Sequence, residues 1–276
     1  MTTRFLLLAV VLACGVDVKA QSTQQIPLNM TVNGSHYEMQ PTISVPSYLA
    51  ATQKKKKWTK TNASGVADAA VSAEGTIWIV GENGSIWFSK DSGANWTKTE
   101  AEGFSRVSAG TDTTVFAVGA NETLWKYDGN RWTQTKASGM GDVAISQTGT
   151  VWAAGKNGTI WFSNNGGASF TKTDANGFSS IAVATNSQVW AVGTNETLWK
   201  YDGNIWEQTK ASGMNDVAVG IDGQIWVAGK NGTIWFSEDK GASFTKTDAS
   251  GFGRVTVGMD NTVWGVGNNG TLWKYQ

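Results

Sequence analysis

Asp68, Asp142 and Asp216 stand at a constant interval of 74 residues, in Gly65-Val66-Ala67-Asp68, Gly139-Met140-Gly141-Asp142 and Gly213-Met214-Asn215-Asp216. Midway between them the same frame reads Gly103-Phe104-Ser105-Arg106, Gly177-Phe178-Ser179-Ser180 and Gly251-Phe252-Gly253-Arg254. Carboxylates beside apolar side chains and amides suit a sugar, which offers paired hydroxyls and an apolar C–H face. On that reading Asp68, Asp142 and Asp216 accept hydroxyl bonds. Met140, Met214 and Asn215 flank them, and Glu122, Glu196, Lys156 and Lys230 come from neighbouring turns. The same aspartates can instead satisfy backbone amides, because a buried N–H needs a partner. The sequence leaves both readings open.

Catalysis is less well served. His36 is the one histidine and Cys14 the one cysteine, so there is no material for a catalytic triad or a clustered metal site. A glycosidase of the sialidase kind needs converging arginines and a tyrosine nucleophile with an acidic partner. Only Arg106, Arg131 and Arg254 follow residue 57, Arg131 falls on an outermost strand, and Tyr127, Tyr201 and Tyr275 are equivalent repeat positions. Gly155 to Thr159 reads as a hairpin rather than a phosphate loop. No catalytic residue, metal site or cofactor is expected.

The elements that would position these side chains come from a repeat. Trp58, Trp96, Trp132, Phe170, Trp206 and Phe244 open six units spaced alternately 38 and 36 residues apart, so the array is three copies of a pair. Within Asp142 to Thr173 four short runs alternate with turn signals, among them Lys156-Asn157-Gly158, a tight hairpin. Helical periodicity is absent. Six four-stranded meanders predict an all-β, six-bladed propeller over 58–276. The array starts with a fourth-type strand at Trp58 and stops after a third-type strand at Tyr275. The N-terminal strand should therefore pair with the last blade and close the ring. Apolar residues on both faces, such as Ile77 and Ile79 against Trp78 and Val80, fit blades stacked on neighbours, and most tryptophans read as inter-blade packing.

Ser89 to Trp96 matches an S-x-D-x-G-x-x-W Asp box, with degenerate copies at Ser163 to Phe170 and Ser237 to Phe244. Such an aspartate is expected to hold its turn by bonding backbone amides. Ten N-x-[ST] sequons occur (Asn29, Asn33, Asn62, Asn83, Asn95, Asn121, Asn157, Asn195, Asn231, Asn269), six of them in the hairpins between second and third strands, where turn geometry explains the asparagine.

Composition and the ends set the context. With 40% hydrophobic, 16% charged, 33 Gly and 15 Trp, the chain is low in charge and rich in turn formers and aromatics. Residues 58–276 hold 16 Lys+Arg and 20 Asp+Glu, which lacks the basic footprint of a nucleic-acid binder. Residues 1–20 read as a secretory signal peptide, with Arg4, an apolar run from Phe5 to Ala13 and cleavage after Ala20. A second reading is a bacterial lipoprotein acylated at Cys14. No membrane span is expected, because the apolar run is too short. Residues 21–57 hold all three prolines, a hairpin signal around Asn33-Gly34 and the run Lys54 to Lys57; they read as an arm or linker.

The recurring Gly-x-Asn-[Gly/Glu]-[Thr/Ser]-[Ile/Leu]-Trp (Gly155 to Trp161, Gly193 to Trp199) carries a further signal. So do Gly-Met-x-Asp-Val-Ala (Gly139 to Ala144, Gly213 to Ala218) and the Trp-Lys-Tyr-Asp-Gly turn. Together these resemble the tectonin repeat of secreted and cell-surface lectins, over residues 58–276. The resemblance implies a propeller that recognises cell-surface glycans in innate defence, bacterial or O-methylated sugars among them. The physics of the array agrees with binding: equivalent shallow sites between blades, each weak, act together by avidity. The rival expectation is a structural or adhesion protein with a rigid propeller and the basic arm as its contact.

Overall fold

The computed structural model describes residues 28–32, 35–39, 56–185 and 188–276. The signal-peptide and lipoprotein readings, Pro27, Pro41 and Pro46, and the turn Asn33-Gly34 lie outside them. The chain divides into two units, residues 1–55 and 56–276. In the first, Leu28–Val32 pairs antiparallel with Ser35–Met39.

In the second, the described residues form six four-stranded antiparallel sheets. Blade 1 runs Val66–Val71, Ile77–Gly81, Ile86–Ser89 and Thr97–Lys98, from innermost to outermost strand. Blades 2 to 5 repeat this at residues 104–134, 140–172, 178–208 and 214–246. Blade 6 takes Phe252–Val257, Val263–Gly267 and Leu272–Tyr275 from the end of the chain and Trp58–Lys60 from its start. Trp58 pairs with Tyr275, and Lys57 and Gln276 exchange backbone hydrogen bonds of 2.7 and 3.0 Å. The ring is closed by the N-terminal strand, which removes the open edge that a five-and-three-quarter-blade array would carry.

The alternation of 38 and 36 residues arises in the turn from third to fourth strand. There the Asp box sets Trp87 and Trp96 nine residues apart, and the alternate turn sets Trp125 and Trp132 seven apart. It goes with an alternation in packing. Between blades 1 and 2, Trp78, Phe88, Phe104, Trp125, Tyr127 and Trp132 form one chain of ring contacts, with centroids 5.2 to 6.0 Å apart. The equivalent rings recur between blades 3 and 4 around Trp152, Phe178 and Tyr201, and between blades 5 and 6 around Trp226, Phe252 and Trp58. Each such pair adds about 0.5–1.5 kcal/mol beyond its buried area. The other three junctions bury one large ring of the second strand (Phe116, Trp190 or Trp264) among aliphatic residues, with two half-buried aromatics of the neighbouring blade packed on the cluster (Trp161 and Phe170, Trp235 and Phe244, or Trp87 and Trp96). Even blades end in a three-residue outer strand that begins with tryptophan; odd blades end in two residues, leaving Trp96, Phe170 and Phe244 just outside the strand.

Every innermost strand carries a β-bulge, between Val66 and Asp68 in blade 1 and at the equivalent place in the other five. A bulge re-aims the side chains that follow it, and the residue after each is one of Asp68, Arg106, Asp142, Ser180, Asp216 and Arg254.

The hairpins joining second to third strands turn through a positive-φ residue. In blades 1, 3, 5 and 6 this is glycine, and a Cβ on Gly158 would come within 2.8 Å of the backbone of Gly177. Blades 2 and 4 place Glu122 and Glu196 there, both at φ 67. A non-glycine residue in this region carries roughly 1–2 kcal/mol of strain. Glu122→Gly and Glu196→Gly should each stabilise the propeller by about 0.5–1 kcal/mol after allowance for the added freedom of the unfolded chain. Thermal denaturation of the single and double variants checks this; an unchanged or lowered Tm would refute it.

Candidate functional site

The candidate side chains fall in two sets, one at the axis and one in the clefts between blades. At the axis the six post-bulge residues alternate acid with arginine or serine. Asp68, Asp142 and Asp216 are buried (7%, 7% and 5% exposed), and each Oδ2 accepts the backbone N–H of the next blade's innermost strand, from Val107, Ile181 and Val255 at 2.9 to 3.0 Å. Arg254 lies between Asp68 and Asp216, with N–O distances of 3.8 and 3.5 Å, and Arg106 pairs with Asp142 at 3.7 Å. Ser180 replaces a third arginine and donates its hydroxyl to Asp216 at 2.9 Å. Burial pushes the Asp68 carboxyl up to about 6, against the pull of Arg254 and Arg106. Burial raises Asp142 as well, and the surrounding carboxylates, Asp216 first, raise Arg254.

This geometry realises the backbone-amide reading of the three aspartates. Their carboxylates stitch neighbouring blades together around a narrow axial cavity of about 100 Å³. Asn215 does related work, donating Nδ2 to the carbonyl of Gly253 at 2.7 Å. Met140 is buried. Glu122 and Glu196 are half-buried at their turns, their backbone carbonyls accepting Met140 N–H and Met214 N–H. Lys156 and Lys230 are exposed.

The clefts lie further from the axis. Between blades 4 and 5 a cleft of about 460 Å³ is lined by Lys210, Met214, Lys230, Trp235, Ser243 and Phe244, among others. Of the residues anticipated from sequence, only Met214 and Lys230 stand on its lining. Between blades 6 and 1 the matching cleft, also about 460 Å³, holds Asn62, Glu82, Asn83, Trp87 and Trp96. A larger one of about 880 Å³ lies between blades 1 and 2, with Trp125, Tyr127, Arg131 and Trp132.

Each of these three clefts contains a third-strand tryptophan held in one way. The Trp235 indole N–H donates to Thr233 Oγ1 at 2.9 Å, and the Thr233 hydroxyl and backbone N–H both donate to Asn231 Oδ1. The relay recurs in all six blades, through Ser85 for Trp87 and through Thr123, Thr159, Thr197 and Thr271 for Trp125, Trp161, Trp199 and Trp273. Six of the sequons are therefore the first two members of an Asn-x-[Ser/Thr]-x-Trp relay. Residues two apart on a strand share a face, which puts the three side chains in line. The relay fixes each indole while leaving it half-exposed. By contrast, the interface tryptophans Trp58, Trp78, Trp132, Trp152 and Trp206 bury an indole N–H that has no hydrogen-bond partner.

The Asp boxes hold the cleft's outer wall. Asp91 Oδ1 accepts the Asn95 N–H and the Ser89 hydroxyl at 2.9 and 2.8 Å, which draws its pKa down to about 2. Asp239 is held the same way by Ser243 and Ser237 and falls to about 2. Asn165, read from sequence as a degenerate copy, makes the same bonds to Ser169 N–H and the Ser163 hydroxyl. Asp128 and Asp202 brace the alternate turns through two backbone amides each.

The tectonin domain model matches residues 66–184 and 177–276. The chain belongs to the tectonin family. No curated protein matches it in sequence. Among solved structures, the tectonin propeller is similar to a gluconolactonase of Xanthomonas campestris (TM-score 0.65, 10% identity, 84% of this chain and 93% of that one). It is also similar to YCF48 bound to a D1 peptide (TM-score 0.57, 14% identity, 82% and 96%). A Bacteroides thetaiotaomicron protein of unknown function gives a TM-score of 0.67 at 12% identity, covering 92% and 82%. At these identities the likeness is one of fold. Among the described residues no helix is long and apolar enough to cross a membrane, and no three His, Cys, Asp or Glu side chains group as a metal site.

Proposed function

We propose that this tectonin propeller is a secreted, non-enzymatic, multivalent lectin for cell-surface glycans, bacterial or O-methylated sugars among them, with its sites in the clefts between blades. One observation carries the reading: each of the three clefts presents a half-exposed tryptophan whose plane is fixed by the Asn-Ser/Thr-Trp relay. A pre-oriented indole face receives the C–H face of a sugar without side-chain ordering at the moment of binding. Amides, hydroxyls and backbone groups around the rim answer the sugar hydroxyls. The glycan contacts are assigned to the clefts rather than to Asp68, Asp142 and Asp216, whose oxygens are committed to blade-to-blade bonds. Repetition around a ring converts weak sites into avidity on a glycan-coated surface.

The test is a glycan array, with O-methylated and bacterial surface sugars, run on the wild-type protein and on Trp87→Ala, Trp125→Ala and Trp235→Ala combined. The wild type should show selective, sugar-competable binding. The triple variant should lose it by a factor of about 10 or more, as expected for removal of stacking rings from linked sites. A blank array from folded wild-type protein would overturn the lectin reading.

A further inference from the structure

The 6/1 and 4/5 clefts, and the same repeat positions at junction 2/3, are equivalent in the repeat but not in charge. At 4/5 the crossing supplies Lys210 and the hairpin Lys230, which line one cleft together with Trp235 and Phe244. At 2/3 the same positions are Lys136 and Lys156, with Trp161 and Phe170. At 6/1 they become Asn62 and Glu82, with Trp87 and Trp96. Among the described residues none of these four lysines has a carboxylate within ion-pairing distance, whereas Lys90, Lys98 and Lys200 do.

The 6/1 cleft is also built differently. Asn62 donates to the carbonyl of Ala94 at 3.1 Å and accepts the Trp96 indole N–H at 3.4 Å, so it ties the crossing to the Asp-box wall. A lysine cannot accept that bond, and the 4/5 wall has Phe244 in place of the tryptophan. At 2/3 the stem of Lys156 lies over Gly141, whose counterpart in blade 5, Asn215, is bonded to Gly253.

We infer that, within the lectin reading, the 4/5 cleft and its 2/3 copy take an acidic, carboxylate-bearing sugar and the 6/1 cleft does not. The carboxylate sits between the paired lysines and the C–H face of the ring lies on the tryptophan. Glu82 in the third cleft repels the same ligand. The propeller thus presents two acidic-sugar sites two blades apart, and a third site of different taste.

Calorimetry of the full chain with a D-glucuronate-terminated oligosaccharide and its D-glucose-terminated counterpart tests this. The acidic probe should bind about tenfold more tightly, from charge-assisted contacts, at two sites per chain, and the preference should fade with added salt. Lys210→Glu with Lys230→Glu should remove one site. Asn62→Lys with Glu82→Lys should add a third. These side chains are exposed, and a thermal melt of each variant confirms folding. Equal affinity for the two probes, or a site count indifferent to both double variants, overturns the inference while leaving sugar binding intact. Binding of neither probe together with a blank array overturns the lectin reading itself.

Discussion

Replacing Arg254 by methionine should cost about 3–5 kcal/mol, the range for removing one partner of a buried ion pair. Arg254 lies between two carboxylates, 3.8 Å from Asp68 and 3.5 Å from Asp216. Without it three buried aspartates face one another with Arg106 as the remaining cation of the ring. Chemical denaturation should show a lower midpoint with an unchanged slope. A loss under about 1 kcal/mol would mean that the backbone bonds to Val107 and Val255 hold the aspartates without help.

The same ring sets a pH dependence. The folded-state pKa of Asp68, about 6, lies above its ordinary value of 3.8, so the folded chain binds this proton more tightly than the unfolded chain does. Stability from this group is fully present below 3.8 and is lost as pH rises through about 6. Asp142 is shifted in the same direction. Asp91 and Asp239 act the other way: lowered to about 2, they contribute above 3.8 and are lost only as pH falls toward 2. The Tm should therefore rise from pH 7 to a maximum between about pH 4 and 5 and fall in stronger acid. Asp68→Asn, which keeps an acceptor for Val107, should flatten the rise. A Tm that falls steadily below pH 7 would contradict the burial cause.

The parts of this molecule that were legible in the sequence are those encoded locally. Hairpins announce themselves through Asn-Gly, the Asp box through Ser-x-Asp, and closure through a fourth-type strand at Trp58 that has no third strand before it. The alternating 38- and 36-residue spacing was legible together with its source, the longer Asp-box turn, but it takes ring-to-ring geometry to show which junctions the aromatics fill. The axis was ambiguous in sequence. Whether Asp142 meets solvent or the Ile181 amide depends on a bulge one residue earlier and on the stagger between blades, and neither leaves a residue-type signature. The relay is different. Asn-x-[Ser/Thr]-x-Trp is printed in full at Asn231, Thr233 and Trp235, and strand alternation alone places the three on one face. A glycosylation sequon shares its first three positions, so the asparagine and hydroxyl have a second meaning in sequence that the indole bond removes.

Removal of residues 1–61 should be far more damaging than removal of 1–55, although the two truncations differ by six residues. The longer one deletes Trp58–Lys60, with Trp58's contacts to Phe252, Tyr275 and Trp226 at 4.9, 5.2 and 6.3 Å. It also deletes the Lys57–Gln276 pairing and both bonds from Thr61 to Leu272. Loss of a packed tryptophan alone costs about 3–5 kcal/mol. The unpaired edge of Leu272–Tyr275 would then be a template for strand addition by a second molecule. The expected result is a Tm lower by roughly 10 °C or more, since each kcal/mol shifts a domain of this size by about 2–4 °C, and self-association in sedimentation velocity. Trp58→Ala in the full chain separates the two effects, because it removes the ring while leaving the strand to pair; it should lower the Tm without association. A 62–276 chain that melts with the full-length protein and stays monomeric would show that ring closure by this strand is dispensable, and that the junctions not touched by the deletion suffice to hold the blades in place.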